Sequence, residues 1–446
     1  MLEFGFARED ITPWYGIPLC GYFNPRPNRG VLDPLMLKAA VFRCGKDYAA
    51  IVSYDLCMLP REIVLRFIAE LKKAGFAFAD QILFCATHTH TGPYMSACFS
   101  DNTDADYQAM VVEKTVSAIR RAVNALAPAE LLVSKTECRT LAYNRRYWMK
   151  NGTVLTNPGK LNPDIDRPEG TVDTDIPLLA VRQNGIYQLL LANIVNHTDT
   201  IGGDFVSADW PGRLEHEVQS RLGYNVPVIS MLGAQGNINH FNVDTDANQT
   251  SYEEATRIGK AYAAVILAAL YQLRSVKIDK ISTASQTIEV PFMSVSDAEY
   301  EQAKATAEKY KDAVMEAGRD FTSEDIAKKH PYVLKYFAER LMQCHDAVHP
   351  DKRFETMIAL KFGQEFAIVS LPAEPFTEIG LAIKEASPFP LNFIAALGMG
   401  EVGYVGLPEH YTHGGGYETS PSADKAGREV GLSFIKTGIA LLNQKQ

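Results

Sequence analysis

The chain has 446 residues, of which 46% are hydrophobic and 22% charged, and its formal net charge is -9. This composition is typical of a globular protein with enough apolar material for a large core, and the acidic balance argues against nucleic acid as a partner. The sequence contains no apolar run long enough to span a bilayer and no recognisable signal peptide at its start, so we expect no transmembrane segment.

Strand-like and helix-like patterns alternate along the first 280 residues. Short apolar runs predict strands at Ala39–Phe42, Ala49–Tyr54, Ile82–Cys85, Ile176–Val181, Leu189–Val195 and Val226–Met231. Apolar residues at helical spacing predict helices at Arg61–Lys73, Tyr107–Leu126, Arg213–Leu222 and Tyr252–Leu273. The alternation predicts an α/β fold with mixed β-sheets flanked by helices, and α/β/β/α layering is one arrangement that it allows.

The segment 296–345 differs from its surroundings, because it is rich in Ala, Glu and Lys and has a break near Arg319–Ser323. We expect a helical hairpin inserted between strands, and its charge favours a surface role over a binding role. Strand patterns resume at Met357–Phe362, Phe366–Leu371 and Phe393–Leu397. A final amphipathic helix is predicted at roughly Asp424–Leu442. No linker or repeat interrupts the chain, so we expect a single domain over residues 1–446.

The seven cysteines are scattered and form no CxxC motif. This pattern favours reduced, mostly buried thiols over a disulfide framework or a thiolate metal site.

Two histidines, His88 and His90, follow an apolar strand pattern and precede the turn-forming pair Gly92-Pro93. In an extended chain, residues two apart point to the same side and lie about 7 Å apart. Two imidazoles on one side suit a metal site, or one metal ligand beside an acid/base group. The same pattern also fits two solvent-exposed polar residues, and by itself it leaves the choice open.

Three further residues stand where strands give way to loops. His197 closes the run Leu189–Val195, and a single histidine there is more often structural than a ligand. Asp209, two residues before Pro211, is favoured as a helix N-cap. Glu374 precedes Pro375, and its position alone favours a cap over a metal ligand. The Gly-rich stretch 404–417 also contains tyrosines and histidines, one of which could reach a metal or a substrate.

The segment Ala86-Thr87-His88-Thr89-His90-Thr91-Gly92-Pro93 resembles the ATHTHSGP signature of the neutral/alkaline non-lysosomal ceramidases, with Thr91 in place of serine. Other segments resemble the same family in the same order: Asp10–Pro13, Asp55, Tyr143–Arg146, Leu371–Phe376 and Gly403–Tyr411. The resemblance extends over essentially the whole chain. It implies the catalytic N-terminal domain of that family, and we expect the ceramidases' C-terminal accessory domain to be absent.

The resemblance also implies an activity and a set of site residues. The family's zinc ligands correspond to His88, His197, Glu374 and Tyr404 of this chain. His90 corresponds to the acid/base group and Arg145 to a residue beside the substrate carbonyl, where Tyr404 is also expected to assist. The implied function is a zinc-dependent hydrolase that cleaves an amide or ester bond of a small molecule with a zinc-activated water.

One segment departs from the family pattern. Ceramidases carry a serine in a stretch resembling GNLSPN or GDVSPN, whereas Asn239 and His240 here replace the serine and the proline. We expect these two residues to bind the substrate, and we expect that substrate not to be ceramide. Two alternatives remain: a genuine neutral ceramidase that hydrolyses N-acyl sphingosine, and a non-catalytic metal-binding protein on the same fold.

Overall fold

The computed structural model describes residues 1–22, 26–96, 102–315, 321, 325–326, 328–347, 352–422 and 426–444. Its helices are, in chain order, α1 (Arg61–Lys73), α2 (Ala105–Asn124), α3 (Asp209–Leu222), α4 (Tyr252–Ala269), α5 (Asp297–Lys309), α6 (Pro331–Asp346), α7 (Thr377–Glu385), α8 (Pro408–His413) and α9 (Val430–Asn443). Short 3-10 turns occupy Ala79–Gln81 and Leu270–Gln272. Among the described residues, every helix falls short of the length and apolar character that a membrane span requires.

The strands are, in chain order, β1 (Leu2–Asp10), β2 (Pro18–Leu19), β3 (Arg26–Pro27), β4 (Gly30–Val31), β5 (Met36–Cys44), β6 (Asp47–Tyr54), β7 (Ile82–Ala86), β8 (Ala127–Pro128), β9 (Glu130–Glu137), β10 (Tyr143–Asn144), β11 (Arg146–Met149), β12 (Val154–Thr156), β13 (Ile165–Pro168), β14 (Asp175–Gln183), β15 (Ile186–Ile194), β16 (Phe205–Val206), β17 (Val228–Leu232), β18 (Ile238–Asn239), β19 (Arg274–Val276), β20 (Ile281–Glu289), β21 (Phe354–Phe362), β22 (Phe366–Leu371), β23 (Glu374–Pro375), β24 (Asn392–Ala396) and β25 (Tyr404–Val405).

Three mixed sheets form the framework. The first has the strand order β7-β6-β5-β1-β8, the second β17-β15-β14-β9-β19, and the third β20-β21-β22-β24. Most neighbours are antiparallel, but each sheet ends in a parallel pair: β6 with β7, β15 with β17, and β22 with β24. The predicted mixed α/β fold is confirmed, since all the strands expected from apolar runs lie in these sheets.

The second and third sheets adjoin edge to edge. The side chain of Asn193 on β15 donates to the carbonyl of Ile394 on β24 at 2.9 Å and accepts from its amide at 2.8 Å. A buried amide that makes both bonds fixes the register between two sheets. The two sheets therefore share one layer.

Apolar cores fill the spaces between the sheets and the helices. The largest core lies between α1, α2, the first sheet and the inner faces of the other two sheets. A second core packs the outer face of the second sheet against α3 and α4, and a third packs the outer face of the third sheet against α7 and α9. Helices thus cover both outer sides of two sheet layers, which is the α/β/β/α arrangement.

The predicted hairpin near 296–345 is present as α5 and α6, which pack against each other. Its predicted break, Arg319–Ser323, lies mostly outside the described residues. The hairpin also contacts the Gly-rich stretch, because the ring of Phe337 on α6 stacks on Tyr417 with centroids 6.3 Å apart. The predicted start of the last helix, Asp424, lies outside the described residues, and the helix that the structure describes begins at Val430. Gly427 donates to the Pro291 carbonyl at 2.7 Å, and this contact delays the helix until Val430.

The cysteines follow the predicted burial where they are described. Cys20, Cys44, Cys57 and Cys85 are buried, and Cys138 and Cys344 are partly buried. Cys98 lies outside the described residues.

Candidate metal centre and active site

The candidate ligands stand just beyond strands of three different sheets. His88 follows β7 of the first sheet, His197 follows β15 of the second, and Glu374 follows β22 of the third. Each strand pairs in parallel with its neighbour, and functional groups in α/β proteins gather at the carboxyl ends of such strands. The hydroxyl of Thr198 donates to the carbonyl of Thr87 at 2.7 Å and so ties the first two segments together.

His88 has a strained backbone. Its φ is 63°, in the left-handed region that a residue with a side chain seldom adopts, and its amide donates to the Leu56 carbonyl at 2.8 Å. Such a conformation costs about 1–3 kcal/mol and tends to persist at functional sites. The expected extended spacing of His88 and His90 is therefore wrong. The two rings still meet, with centroids 4.7 Å apart, because the chain bends at His88 rather than continuing the strand.

The three side chains converge on one point. Nε2 of His88 lies 3.0 Å from Nε2 of His197 and 3.1 Å from Oε2 of Glu374, and the latter oxygen is 3.7 Å from Nε2 of His197. All three ligand atoms lie within 4.8 Å of one another, and the residues are almost completely buried. This spacing is that of a group able to hold one metal ion.

The hydrogen bonds explain why a cation fits this cluster. Nδ1 of His88 lies 2.7 Å from the Cys57 carbonyl, and Nδ1 of His90 lies 3.0 Å from the Gly21 carbonyl. Both Nδ1 atoms must donate, so both Nε2 atoms present lone pairs. These lone pairs face each other at 3.2 Å, and Oε2 of Glu374 accepts no hydrogen bond among the described residues. Converging buried lone pairs repel one another unless a cation lies between them.

The same cluster sets the ionisation of its members. Burial raises the pKa of Glu374, but the neighbouring His88, His197 and Arg145 outweigh it and lower the pKa to about 2. Burial, together with the neighbouring His88, lowers the pKa of His90 to about 4. Glu374 is thus a carboxylate and His90 a neutral imidazole near pH 7.

His90 lies beside the triad and is held from the opposite side. Arg26 donates to the His90 carbonyl at 2.5 Å and to the Cys20 carbonyl at 2.7 Å. The ring of Tyr22 meets the His90 ring edge-on, with centroids 5.7 Å apart. These contacts fix the His90 ring with one nitrogen toward the metal cluster, as an acid/base group requires.

Gly21 is required where the His90 ring packs. Its φ is +103°, and a Cβ atom there would lie 2.6 Å from Cγ of His90. We expect Gly21→Ala to displace the imidazole and to lower turnover by at least about tenfold while the metal is retained. The matched control is Gly16→Ala, since Gly16 has φ +88° and no atom within 4 Å of the added Cβ. Both variants should lose about 1–2 kcal/mol of stability from the backbone. Equal activity of the two variants would contradict the proposed packing role.

Tyr404 lies next to Glu374 through the backbone. Strands β23 and β25 pair in parallel with Glu374 opposite Tyr404, and the Glu374 amide donates to the Gly403 carbonyl at 3.0 Å. Burial raises the pKa of Tyr404 well above its usual value, and the charge of Glu374 adds to the effect. Tyr404 is therefore a neutral phenol beside the candidate metal centre, and its role as a ligand stays a prediction.

Arg145 lies under two tyrosine rings. Its guanidinium carbon is 4.9 Å from the ring centre of Tyr404 and 5.4 Å from that of Tyr417, and Nη2 donates to the Gly236 carbonyl at 2.7 Å. Nε lies 2.9 Å from Oε1 of Glu418, a residue with no exposed surface. These contacts hold the buried cation in one orientation at the edge of the cluster.

Glu418 compensates two buried arginines. Its carboxylate also lies 3.1 Å from Nη1 of Arg146 and accepts from the Thr156 hydroxyl at 2.5 Å. Breaking a buried pair by removing one partner leaves an uncompensated charge. We expect Glu418→Ala to lower the free energy of unfolding, measured with urea, by about 3–5 kcal/mol. Glu409→Ala is the control on the same segment, because Glu409 is exposed and its loss should cost less than about 0.5 kcal/mol. A loss below about 1 kcal/mol for Glu418→Ala would contradict this account.

The structure also brings together Tyr417, one of the six candidates in the Gly-rich stretch, and two residues that the sequence did not single out. Glu418 directly follows Tyr417, and Asp199 follows His197 by two residues. The charge of Asp199 acts on His90 and on Tyr417. A carboxylate two residues after a candidate ligand was a usable signal for Asp199, whereas nothing in the sequence distinguished Tyr417 from the other tyrosines nearby.

Asn239 and His240 are buried next to the site. The Asn239 amide donates to Asn157 at 2.9 Å and accepts from the Phe241 amide at 3.0 Å, so both ends of its side chain are bonded within the protein. His240 lies 2.7 Å from the Gln249 carbonyl through Nε2. These bonds give both residues a structural role, and direct contact of either with a substrate stays a prediction.

Asp209 does not cap α3 as predicted. It is the first residue of the helix, with φ 53°, and the preceding cap position is Ala208. Its carboxylate accepts from the amides of Thr200 and Ile201 at 2.9 and 3.1 Å. Asp209 thus stabilises the loop that follows His197. Glu374 is not a cap either, because α7 begins after Phe376 and Glu374 points to the histidines.

Comparison with known proteins agrees with this architecture. Residues 2–185 match the family model described as neutral/alkaline non-lysosomal ceramidase, N-terminal. Neutral ceramidase from Pseudomonas aeruginosa has a similar structure, with a TM-score of 0.75 and 17% identity over 99% of this chain and 74% of that one. A ceramidase complexed with C2 aligns with a TM-score of 0.73, at the same identity and coverage. These similarities point to a hydrolase. Residues 2–185 are therefore similar to the N-terminal domain of the neutral/alkaline non-lysosomal ceramidases, and the chain has the fold of the solved neutral ceramidases.

Proposed function

We propose that this chain is a zinc-dependent hydrolase that cleaves an amide or ester bond of a small molecule other than ceramide. The observation that carries the proposal is the convergence of the Nε2 atoms of His88 and His197 with the Glu374 carboxylate. Two histidines and a glutamate form the ligand set of several catalytic zinc sites, which keep a further position for water or substrate. Tyr404 is proposed as the fourth protein ligand.

The proposed chemistry divides between the metal and the protein. When bound, zinc supplies Lewis-acid chemistry, since it acidifies water and polarises a carbonyl oxygen. Nε2 of His90, neutral and beside the triad, accepts a proton from the attacking water and returns it to the leaving nitrogen or oxygen. Arg145, held by Glu418 and Gly236, stabilises negative charge that develops on the substrate carbonyl, and Tyr404 assists at the same oxygen.

The proposal that ceramide is not the substrate rests on the sequence segment at 236–240. Asn239 and His240 stand where a serine and a proline occur in ceramidases, and both are committed to bonds within the protein. A binding site loses much of its selectivity for a substrate hydroxyl when the side chain that bonds this hydroxyl is replaced. We also propose that residues 1–446 act as one domain, because the ligands come from all three sheets.

A substrate panel tests the proposed function. Zinc-loaded protein is assayed against short N-acyl amides, matched esters and N-acyl sphingosine, with protein treated with a chelator as the control. We expect zinc-dependent hydrolysis of a short amide or ester and at most weak cleavage of N-acyl sphingosine. Preferred cleavage of N-acyl sphingosine would favour a genuine ceramidase. Bound zinc without turnover of any compound would favour the non-catalytic alternative.

A further inference from the structure

One carboxylate in the active site has no function in the proposed reaction. Asp199 lies in the loop after His197, in which Thr198 and Thr200 have no exposed surface and His197 is 1% exposed. The side chain of Asp199, by contrast, is 18% exposed. Asp199 is therefore more accessible to solvent than its neighbours in this buried turn.

The surroundings place Asp199 near the proposed reacting groups. Its charge acts on His90, on His197 and on Tyr417, three side chains near the candidate metal centre. Its Oδ1 lies 3.4 Å from Nδ1 of His240, whose other nitrogen is engaged by the Gln249 carbonyl. His240 thus holds one oxygen of the carboxylate in place.

The carboxylate keeps bonding capacity that the protein does not use. Apart from the approach to His240, Oδ1 of Asp199 is buried and accepts no hydrogen bond from the described residues. The two nearby arginines are committed elsewhere, Arg26 to backbone carbonyls and Arg145 to Glu418 and Gly236. A carboxylate that is largely buried and under-bonded is stabilised by a ligand that donates hydrogen bonds to it.

We infer that Asp199 determines substrate specificity by binding a hydrogen-bond donor, an ammonium or a hydroxyl group, on the leaving half of the substrate. The assignment to the leaving half rests on the proposed function, in which the neighbouring His90 protonates the leaving atom. The substrate is thus an amide or ester whose amine or alcohol part carries a polar donor. Ordinary alkyl amides should bind poorly, because they leave the carboxylate unpaired.

Three matched amides test this inference: the N-hexanoyl derivatives of ethylenediamine, ethanolamine and propylamine. They present –NH3+, –OH and –CH3 at the same position. We expect the zinc-loaded wild-type protein to prefer at least one donor-bearing amide over the propylamide by about 10- to 150-fold in kcat/KM. Asp199→Ala should reduce this ratio to within about threefold. Asp199→Asn should lose preference for the ammonium and keep part of any preference for the hydroxyl.

The control is Asp204→Asn, which removes the same charge from the same loop. Asp204 pairs with Arg29 at 3.0 Å, and both side chains are substantially exposed, so the wild-type ratio should persist. If Asp199→Ala slows all three amides equally, or if the wild-type protein shows no preference, the inference is wrong. If zinc-loaded protein cleaves none of them, the proposed function fails. In that case the dissociation constants of the three uncleaved amides are measured by calorimetry. The ratio of the propylamide constant to that of each donor-bearing amide, compared between wild-type and Asp199→Ala protein, then tests the role of Asp199.

Discussion

Purified His88→Ala and Glu374→Ala proteins should contain little zinc, whereas the wild-type protein should contain about one zinc per chain. Each substitution removes one of three converging ligand atoms, and it leaves a buried charge or lone pair without its partner. Loss of groups that merely support ligands already costs 10–100-fold in metal affinity, so loss of a ligand should cost at least about 100-fold. Hydrolysis should fall in parallel. The measurement is zinc content by mass spectrometry after dialysis against a weak chelator, together with the initial rate on the best substrate.

The matched control for this prediction is Glu385→Ala. Glu385 is an exposed glutamate at the end of α7, and its loss removes the same charge far from the triad. It should bind zinc like the wild-type protein. Wild-type levels of zinc in both His88→Ala and Glu374→Ala would show that the metal, if any, is held elsewhere.

His90→Ala should retain zinc and lose most of its turnover. His90 is not one of the three ligands of the His88/His197/Glu374 group, although it could form a second group with Cys57 and His88, and its Nε2 lies 3.2 Å from that of His88. We assign the metal to the first group, which includes a carboxylate. His90 is therefore placed to move a proton without holding the metal. Removal of a positioned acid/base group lowers the rate by about 10²- to 10⁴-fold. The measurements are kcat and zinc content on the same preparation.

His216→Ala provides the control for His90→Ala, because His216 is exposed on α3. It should leave both kcat and zinc content unchanged. If His90→Ala loses zinc while His88→Ala keeps it, the two histidines have exchanged roles. If His90→Ala keeps both zinc and full turnover, another group transfers the proton.

The framework was largely predictable from the sequence, because the central strands are buried on both faces and appear as continuous apolar runs. Val228–Leu232 and Phe366–Leu371 are buried at every position, and such runs are typical of covered sheets. The start of the last helix was not predictable, since a contact between Gly427 and Pro291 determines it. Local patterns carry no information on contacts between segments so far apart in sequence.

The candidate site was predictable only in part. The His88/His90 pair was visible in the sequence, but the bend at His88, with φ 63°, was not. The strain is maintained by bonds to Leu56 and Cys57, from another strand end. Glu418 could not be recognised either, because its partners Arg145 and Arg146 are more than 270 residues away along the chain.

The most direct test of the central claim is an anomalous difference map from a crystal of the zinc-supplied protein, recorded at the zinc absorption edge. We expect one strong peak about 2.0–2.2 Å from Nε2 of His88, Nε2 of His197 and a carboxylate oxygen of Glu374. We expect no peak at the Cys57 thiol, although that sulfur lies 3.7 Å from Nδ1 of His88. An empty triad in the presence of zinc, or a zinc ion held by other residues, would contradict the account.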